Sequence, residues 1–268
     1  MAGGPSRRAT LGGFATAAIS SSANAQLGTG GRVMPTVLIT GANRGLGLEF
    51  VRQYQARKYK IIATARKPSE ATELLALAKA DKNISVEALD VTDLAAIDAL
   101  AAKLKGVPID ILLNNAGVIG KPLEEVFGSI PYSHFDDVMN TNVRGPLKMC
   151  EAFVEHVAAS QQRKFAVVTS VEGSVASQKS GARYFYKSSK AALNMAMRNV
   201  MFAVKDRGIL VAMVCPGGTD TDMIRQLKMN MKFRDPRDAV RDMIGLIDAV
   251  TPERSGVSYN YDGTVMPW

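Results

Sequence analysis

Tyr186 and Lys190 are four residues apart, a spacing that places both side chains on one face of an α-helix. A tyrosine works as an acid or base near neutral pH only if its pKa falls by roughly three units from about 10. An ammonium group about 4 Å away, at an effective dielectric of about 20, supplies on the order of 4 kcal/mol, or about three pKa units. The pair therefore predicts proton transfer by Tyr186 with Lys190 as the activating cation. The alternative is an ordinary pair on a solvated helix face.

Residues 40–47 read TGANRGLG and follow an apolar run at 37–39. A glycine turn between a strand and a helix lets the backbone approach a pyrophosphate, and the helix N-terminus offers free N–H groups to that anion. The glycines are spaced Gly-x-x-x-Gly-x-Gly, at 41, 45 and 47. The stretch predicts a dinucleotide site, with a plain strand-to-helix turn as the alternative.

The end of the second apolar run carries Arg66 and Lys67, where a carboxylate would bind the ribose 2′-hydroxyl of NAD. Arg66, together with Arg44 from the glycine stretch, suits a 2′-phosphate because the planar guanidinium binds phosphate with two hydrogen bonds. These residues predict NADP as the cofactor rather than NAD. They are also compatible with surface arginines that follow a strand.

Apolar, β-branched runs alternate with stretches of helical period along the body of the chain. This alternation predicts one α/β domain over residues 35–268, a Rossmann-type doubly wound parallel sheet with helices on both faces. The predicted strands are 37–40, 61–65, 84–89, 109–113, 165–170 and 209–215, and the predicted helices are 70–79, 94–104, 135–159 and 187–204.

Short polar stretches stand where three of these strands end. Asp90 and Val91 follow the third strand, an Asn-Asn-Ala-Gly turn at 114–117 follows the fourth, and Ser170 closes the fifth. Because ligands of open α/β sheets bind at the carboxyl ends of the strands, these stretches are candidate parts of one site.

From residue 36 to its end, the chain resembles the short-chain dehydrogenase/reductases. The resemblance rests on the glycine stretch, Asp90, the turn at 114–117, Asn142, Ser170, the Tyr186-x-x-x-Lys190 pair and Pro216-Gly217. The segment from Tyr259 to Trp268 is similar to the group that contains the C-factor signalling protein and Sniffer-type carbonyl reductases.

The resemblance implies a role for each matching residue. Tyr186 is the proton donor and acceptor, Lys190 lowers its pKa and binds the nicotinamide ribose, Ser170 holds the substrate oxygen, and Asn142 anchors a water that relays protons to Lys190. The implied cofactor contacts are Gly41, Asn43, Arg44, Gly45, Leu46, Gly47, Arg66, Asp90, Val91, Asn114, Ala116, Gly117, Tyr186, Lys190, Pro216, Gly217, Thr219 and Thr221.

Residues 218–236 are rich in methionine, with Met223, Met229 and Met231 among other apolar side chains. In the family this region caps the substrate pocket, and flexible methionine suits a loose apolar pocket. Ordinary helix packing is the competing interpretation.

The composition is that of a globular protein, with 47% hydrophobic and 22% charged residues. The net charge of +8 is spread along the chain, which speaks against nucleic-acid binding, and no apolar run is long enough for a membrane span. Cys150 and Cys215 lack metal-binding spacing, so we expect no metal and two small buried side chains. We expect a homodimer or homotetramer.

Residues 1–34 form a leader whose destination the sequence leaves open. Arg7 and Arg8, a short apolar stretch, and Ala-Asn-Ala at 23–25 resemble a twin-arginine export signal with cleavage after Ala25. An organelle transit peptide and a true start at Met34 are the alternatives. The protein is therefore either periplasmic or cytoplasmic, and a dissociable nicotinamide cofactor is an argument against export.

These observations predict an NADP-dependent oxidoreductase that transfers a hydride between the nicotinamide and a small-molecule carbonyl or alcohol, most simply a carbonyl reductase. Two alternatives remain open. One is a nucleotide-binding signalling protein of the C-factor type with little turnover, and the other is an NAD-dependent alcohol dehydrogenase.

Overall fold

Seven strands form one sheet in the computed structural model, which describes Met1 and residues 34–268. The predicted export motif and its cleavage site lie outside the described residues. All neighbouring strands are parallel, in the order β3-β2-β1-β4-β5-β6-β7. The strands are β1 Thr36–Ile39, β2 Lys60–Ala65, β3 Ile84–Ala88, β4 Ile111–Asn114, β5 Lys164–Val168, β6 Leu210–Cys215 and β7 Ser258–Asn260.

Helices connect the strands and cover both faces of the sheet. The α-helices are α1 Gly45–Ala56, α2 Thr72–Ala80, α3 Leu94–Lys103, α4 Phe135–Met139, α5 Gly145–Ala152, α6 Val154–Ala158, α7 Tyr184–Val204, α8 Asp222–Arg225 and α9 Pro236–Asp248. Short 3₁₀ turns occur at Pro68–Glu70, Tyr132–His134, Val171–Gly173, Lys205–Arg207 and Pro252–Arg254. No described helix is both long enough and apolar enough to cross a bilayer.

The central strands are buried on both faces, which explains their continuous apolar sequences. On β1, Val37 and Ile39 belong to a core with residues of α1 and α9, whereas Leu38 belongs to a second core with residues of α3, α5 and α7. Leu38 is aligned with Ile62 of β2 and Leu112 of β4. The structure confirms the predicted Rossmann-type fold.

The predicted helical stretch over 135–159 is helical but is not one regular α-helix. A π-helical stretch, Asn140–Arg144, separates α4 from α5, and α6 follows as a separate short helix. Pro146, at the start of α5, has no N–H and therefore cannot donate to the carbonyl oxygen of Asn142, four residues earlier. A wider turn at this point accommodates the missing α-helical bond.

Strand β7 was not predicted. Its three residues, Ser258, Tyr259 and Asn260, contain no apolar run, and the strand forms because it pairs with β6. Helix α7 begins at Tyr184, three residues before the predicted start, so that Tyr186 and Lys190 both lie on it.

Candidate active site

The loops after β1 and β4 meet where the chain reverses its direction across the sheet. The hydroxyl of Thr40 accepts hydrogen bonds from the backbone N–H groups of Asn115 and Ala116 at 3.0 and 3.1 Å. The amide of Asn115 donates to the carbonyl oxygens of Thr40 and Gly41 at 3.0 and 3.1 Å. These bonds join the two loops at the base of the crevice where open α/β sheets bind ligands. This role has no local signal in the sequence, because the bonded residues are 75 positions apart.

The glycine stretch is shaped by close packing. Gly41 has a φ of +65°, and a Cβ there would lie 2.9 Å from the Cα of Ala116. A Cβ on Gly47 would collide with the carbonyl oxygen of Gly41. Arg44 stands at the N-cap of α1 with no side-chain cap, so the first N–H groups of the helix remain free to bind an anion.

A cleft of about 1070 Å³ runs across the carboxyl ends of the strands. It is lined by the glycine stretch, by the ends of β2 and β3, by the turn after β4, and by the segments that carry Ser170 and Tyr186. The predicted site residues that line it are Gly41, Asn43, Arg44, Gly45, Leu46, Gly47, Arg66, Asp90, Val91, Ala116, Gly117, Ser170, Tyr186, Lys190, Pro216, Gly217, Thr219 and Thr221.

Two predicted site residues, Asn114 and Asn142, do not line the cleft. The side chain of Asn114 is buried and its Nδ2 contacts Sγ of Cys150 at 3.6 Å, beneath the cleft wall. The predicted contact between Asn114 and the cofactor stays a prediction, and because the side chain is buried it would have to come from the backbone.

The end of β2 offers an unneutralised cation. Arg66 is exposed, and among the described residues no carboxylate forms an ion pair with it, whereas the adjacent Lys67 is paired with Glu70 at 2.9 Å. Arg44 lies 3.4 Å from Asp222, and both of these side chains are more than half exposed. The chemistry of this end of the cleft fits a phosphate group.

Asp90 is held in one orientation after β3. Its Oδ1 accepts hydrogen bonds from the backbone N–H and the hydroxyl of Thr92 at 2.9 and 2.7 Å. One carboxylate oxygen is therefore engaged, and the other is available to a group in the cleft.

Burial dominates the titration of Tyr186 and Lys190. The ammonium of Lys190 donates to the carbonyl oxygen of Val168 at 2.9 Å and lies 5.7 Å from the centre of the Tyr186 ring. Desolvation lowers the pKa of Lys190 to about 8. Desolvation also raises the pKa of Tyr186 above its ordinary value, although the nearby hydroxyl of Ser170 opposes the rise. The Tyr186 pKa is therefore raised in this structure rather than lowered as the sequence predicted, because burial outweighs the contributions that oppose it.

Ser170 is oriented by the chain that follows it. Its Oγ accepts a hydrogen bond from the backbone N–H of Glu172 at 3.1 Å and caps the 3₁₀ turn Val171–Gly173. The hydroxyl hydrogen has no bond among the described residues. It is therefore free to be donated to an oxygen in the cleft.

Asn142 lies in the π-helical stretch, and its side chain lies close to that of Lys190. Its Oδ1 accepts from the N–H of Val118 at 2.9 Å, and its Nδ2 donates to the oxygens of Val118 and Ser189 at 2.8 and 3.0 Å. A Cβ on Gly117 would lie 3.4 Å from Oδ1 of Asn142 and 3.9 Å from Nζ of Lys190, so the two side chains converge on one point.

An ion pair that sequence analysis missed flanks Tyr186. Glu172 and Arg183 line the cleft and are joined by two hydrogen bonds of 2.9 Å, from Nε and Nη2 of Arg183. Glu172 lies on the same segment as Ser170, two residues after it. Arg183 lies on the same segment as Tyr186, three residues before it. Neither residue belongs to a recognisable motif, and only the folded chain brings them together.

One part of the cleft wall is apolar. It includes the predicted methionines of residues 218–236 together with aliphatic side chains from the loop after β4. The apolar residues of this wall are Val118, Ile119, Val171, Met223, Ile224, Leu227, Met229, Met231 and Phe233.

A parallel sheet with a glycine-rich first turn and a Ser-Tyr-Lys set at one edge defines a nucleotide-binding oxidoreductase architecture. The sequence model of the short chain dehydrogenases matches residues 35–232, so the chain belongs to the short-chain dehydrogenase family and is an oxidoreductase of that family. The resemblance predicted from the motifs is confirmed.

Particular relatives fall in the group expected from the sequence. The C-signal of Myxococcus xanthus is 36% identical over 170 residues, which are 63% of this chain and 99% of the C-signal. An NADPH-bound carbonyl reductase from chicken fatty liver is 30% identical with a TM-score of 0.79, over 88% of this chain and 99% of the reductase. Carbonyl reductase Sniffer of D. melanogaster is 25% identical with a TM-score of 0.79, over 88% of this chain and 100% of Sniffer.

Proposed function

We propose that the protein is an NADP-dependent carbonyl reductase acting on a small or medium-sized apolar substrate. The observation that carries this proposal is the position of Arg66, an exposed cation without a carboxylate partner among the described residues, in the same cleft as Ser170, Tyr186 and Lys190. The similar chicken carbonyl reductase, which is NADPH-bound, supports the assignment.

The residues of the cleft suit each part of NADP. The free N–H groups at the start of α1 would bind the pyrophosphate, Arg66 with Arg44 the 2′-phosphate, and the free carboxylate oxygen of Asp90 the adenine. The nicotinamide end would be covered by the segment from Pro216 to Thr221. When bound, NADPH supplies the hydride.

Tyr186 would donate the proton to the substrate oxygen. Because burial raises its pKa, the phenol is protonated at neutral pH, the form that reduction requires. The hydroxyl of Ser170 would hold the same oxygen beside the phenol. The ammonium of Lys190 would then stabilise the phenolate that proton donation leaves behind.

The backbone carbonyl of Asn142 would support the return of a proton to Tyr186 and Lys190. Its side chain is engaged by Val118 and Ser189, whereas Pro146 cannot donate to its carbonyl oxygen. A water held by that carbonyl could reach Lys190. The proposed relay therefore depends on the π-helical stretch rather than on the asparagine amide.

Substitution of Tyr186 by Phe tests the proposal, because it removes the hydroxyl and keeps the ring. Turnover of NADPH with a panel of aldehydes, ketones and quinones should fall by roughly 10²–10⁴-fold, the loss typical of a positioned general acid. NADPH binding, followed by fluorescence in the same sample, should persist. Tyr184→Phe is the matched control, since Tyr184 lies on the same helix outside the cleft lining, and it should retain turnover.

Other outcomes separate the alternatives. If Tyr186→Phe reduces carbonyls as the wild type does, Tyr186 is not the acid. A wild-type protein that binds NADPH but reduces nothing in the panel supports a regulatory role, which its similarity to C-signal makes a specific alternative. Preference for NADH with alcohol oxidation would support the NAD-dependent dehydrogenase instead.

A further inference from the structure

The ion pair between Glu172 and Arg183 lies in a different part of the cleft from most of its other charged residues. The other described charged residues of its lining, apart from Lys190, belong to the loops after β1, β2 and β3 or to α8; they are Arg44, Arg66, Lys67, Glu70, Asp90 and Asp222. Glu172 and Arg183 instead flank Ser170 and Tyr186. Both charges act on the pKa of Tyr186, Glu172 raising it and Arg183 lowering it. A substrate aligned with Tyr186 would therefore meet this pair.

The pair is held firmly at both ends. The guanidinium uses Nε and Nη2 for the two carboxylate oxygens of Glu172, and the side chains of Glu172 and Arg183 are only 25% and 20% exposed. The backbone of Glu172 is tied to Ser170, and the carbonyl oxygen of Arg183 accepts from the N–H of Lys187 at 2.9 Å in the first turn of α7. Movement of one partner away from the other would thus disturb the segments that carry the catalytic candidates.

This arrangement changes what Arg183 can offer a ligand. A free guanidinium beside an apolar wall would bind a carboxylate through its planar fork. Here the fork is filled by Glu172, whose charge also repels an incoming carboxylate. The pair is electrically neutral as a unit, and removing a carboxylate from water without a free partner is costly.

We propose that Glu172 is a specificity-determining residue that masks Arg183 and so restricts the cleft to uncharged carbonyl substrates. The inference rests on the proposed carbonyl reduction and adds the charge class of the substrate. Neutralising Glu172 should expose the guanidinium and create a preference for carbonyl compounds that bear a carboxylate.

Paired substrates provide the test: 4-carboxybenzaldehyde, and methyl 4-formylbenzoate as its neutral counterpart. In Glu172→Gln, the ratio of kcat/KM for the acid to kcat/KM for the ester should rise about tenfold or more, the gain expected from a new charge-assisted hydrogen bond. Any effect of the substitution on the pKa of Tyr186 acts on both aldehydes and cancels in the ratio. In Glu172→Gln/Arg183→Gln the gain should disappear.

Two further variants complete the design. Arg183→Gln leaves Glu172 without its cation, so it should lower the acid-to-ester ratio below that of the wild type. Glu124→Gln is the matched control, since Glu124 is exposed, pairs with Lys121 at 3.3 Å and lies outside the cleft lining. It removes the same charge and should leave the ratio unchanged.

Calorimetric binding of the two aldehydes to the NADP⁺-loaded protein gives a readout that does not require turnover. A raised acid-to-ester affinity ratio in Glu172→Gln supports the masking role even if no variant reduces either aldehyde, a result that would overturn only the proposed function. If turnover of the ester is retained but neither the kinetic nor the binding ratio changes, the masking role is overturned and the carbonyl reductase assignment stands.

Discussion

At the scale of single residues, the proposed preference for NADP depends on Arg66. Replacing Arg66 by Asp exchanges a phosphate partner for a repelling carboxylate, so the variant should lose roughly tenfold or more of its NADPH affinity. NADH lacks the 2′-phosphate and should be affected much less. Dissociation constants for both nucleotides, measured by fluorescence, check this expectation. Equal losses for the two nucleotides would contradict the role given to Arg66.

The buried ammonium of Lys190 should lower the free energy of unfolding at neutral pH. Its pKa is about 8 in the native protein, below the ordinary value of 10.5, so between these values the unfolded state binds more protons than the native state. The free energy of unfolding is therefore lowered by the full amount below pH 8. It recovers as the pH rises towards 10.5. A shift of this size corresponds to roughly 3 kcal/mol.

Lys190→Met should consequently be more stable than the wild type at pH 7. The gain should be about 2 kcal/mol, because the lost hydrogen bond to Val168 offsets part of it. Urea unfolding of both proteins at pH 7 and pH 9.5 measures the difference, which should shrink at the higher pH. A gain that does not depend on pH would show that side-chain packing, rather than the buried charge, is responsible.

The sequence predicted which residues gather at the cleft better than it predicted their chemistry. The spacing of Tyr186 and Lys190 places them together on one helix. Their pKa values depend instead on burial, which is a property of the folded chain. The pair formed by Glu172 and Arg183 was missed for a similar reason, since its members lie eleven positions apart along irregular chain.

At the scale of elements, the start of α7 is held by a residue from a distant loop. The side chain of Glu125 is fully buried, and its Oε2 accepts a hydrogen bond of 3.0 Å from the backbone N–H of Phe185, the second residue of α7. That N–H is one of the first-turn donors that a helix cannot satisfy itself, and the negative charge is favourable at a helix N-terminus. Glu125 thus connects the loop after β4 to the helix that carries Tyr186.

Glu125→Leu should lower the free energy of unfolding by about 1–3 kcal/mol, because it leaves a buried N–H without an acceptor. Glu125→Gln retains an acceptor oxygen and should be closer to the wild type. Urea unfolding of the two variants compares them directly. The exposed neighbour Glu124, changed to Leu, is the control and should shift stability by no more than about 0.5 kcal/mol. A Leu variant as stable as the Gln variant would argue against the cap.

The elements that were predicted well are those whose signal is local. Six strands were found from apolar runs, whereas β7 depends on pairing with β6 and has no run of its own. The irregular turn within the predicted helix 135–159 lies beside Pro146, and at Gly145 the helix packs so closely that a Cβ would lie 2.7 Å from the carbonyl oxygen of Val91. Such a contact belongs to the folded chain and cannot be seen in helical periodicity.

At the scale of the whole molecule, one sheet topology gathers residues from along the chain into one cleft. Parallel strands place all their carboxyl ends at the same edge, and a crevice for a ligand forms there where the strand order reverses between β1 and β4. This is why the alternation of apolar and helical stretches predicted the fold, and why the motifs at the strand ends line one cleft. The segments of the apolar wall, residues 218–236 among them, are less regular, and no comparable rule predicts a substrate from their sequence.

Ligand binding to this cleft should stabilise the whole fold, and the stabilisation should depend on the 2′-phosphate. A ligand at one hundred times its Kd adds about 2.7 kcal/mol to the free energy of unfolding when it binds only the native state. For a chain of this size each kcal/mol raises Tm by roughly 2–4 °C, so NADPH should raise it by roughly 5–11 °C. If NADH binds tenfold more weakly, the same concentration should give a rise smaller by roughly 3–6 °C.

Thermal unfolding of the full chain with each nucleotide measures these shifts without any substrate. Tyr186→Phe should show the same difference between NADPH and NADH as the wild type, because its hydroxyl lies away from Arg66 at the other end of the cleft. Arg66→Asp should abolish most of the difference, because the repelling carboxylate acts only where NADPH carries its additional phosphate. Equal shifts for the two nucleotides in the wild type would remove the case for NADP. Equal shifts that fall together in Arg66→Asp would instead show that Arg66 binds a part that both nucleotides share.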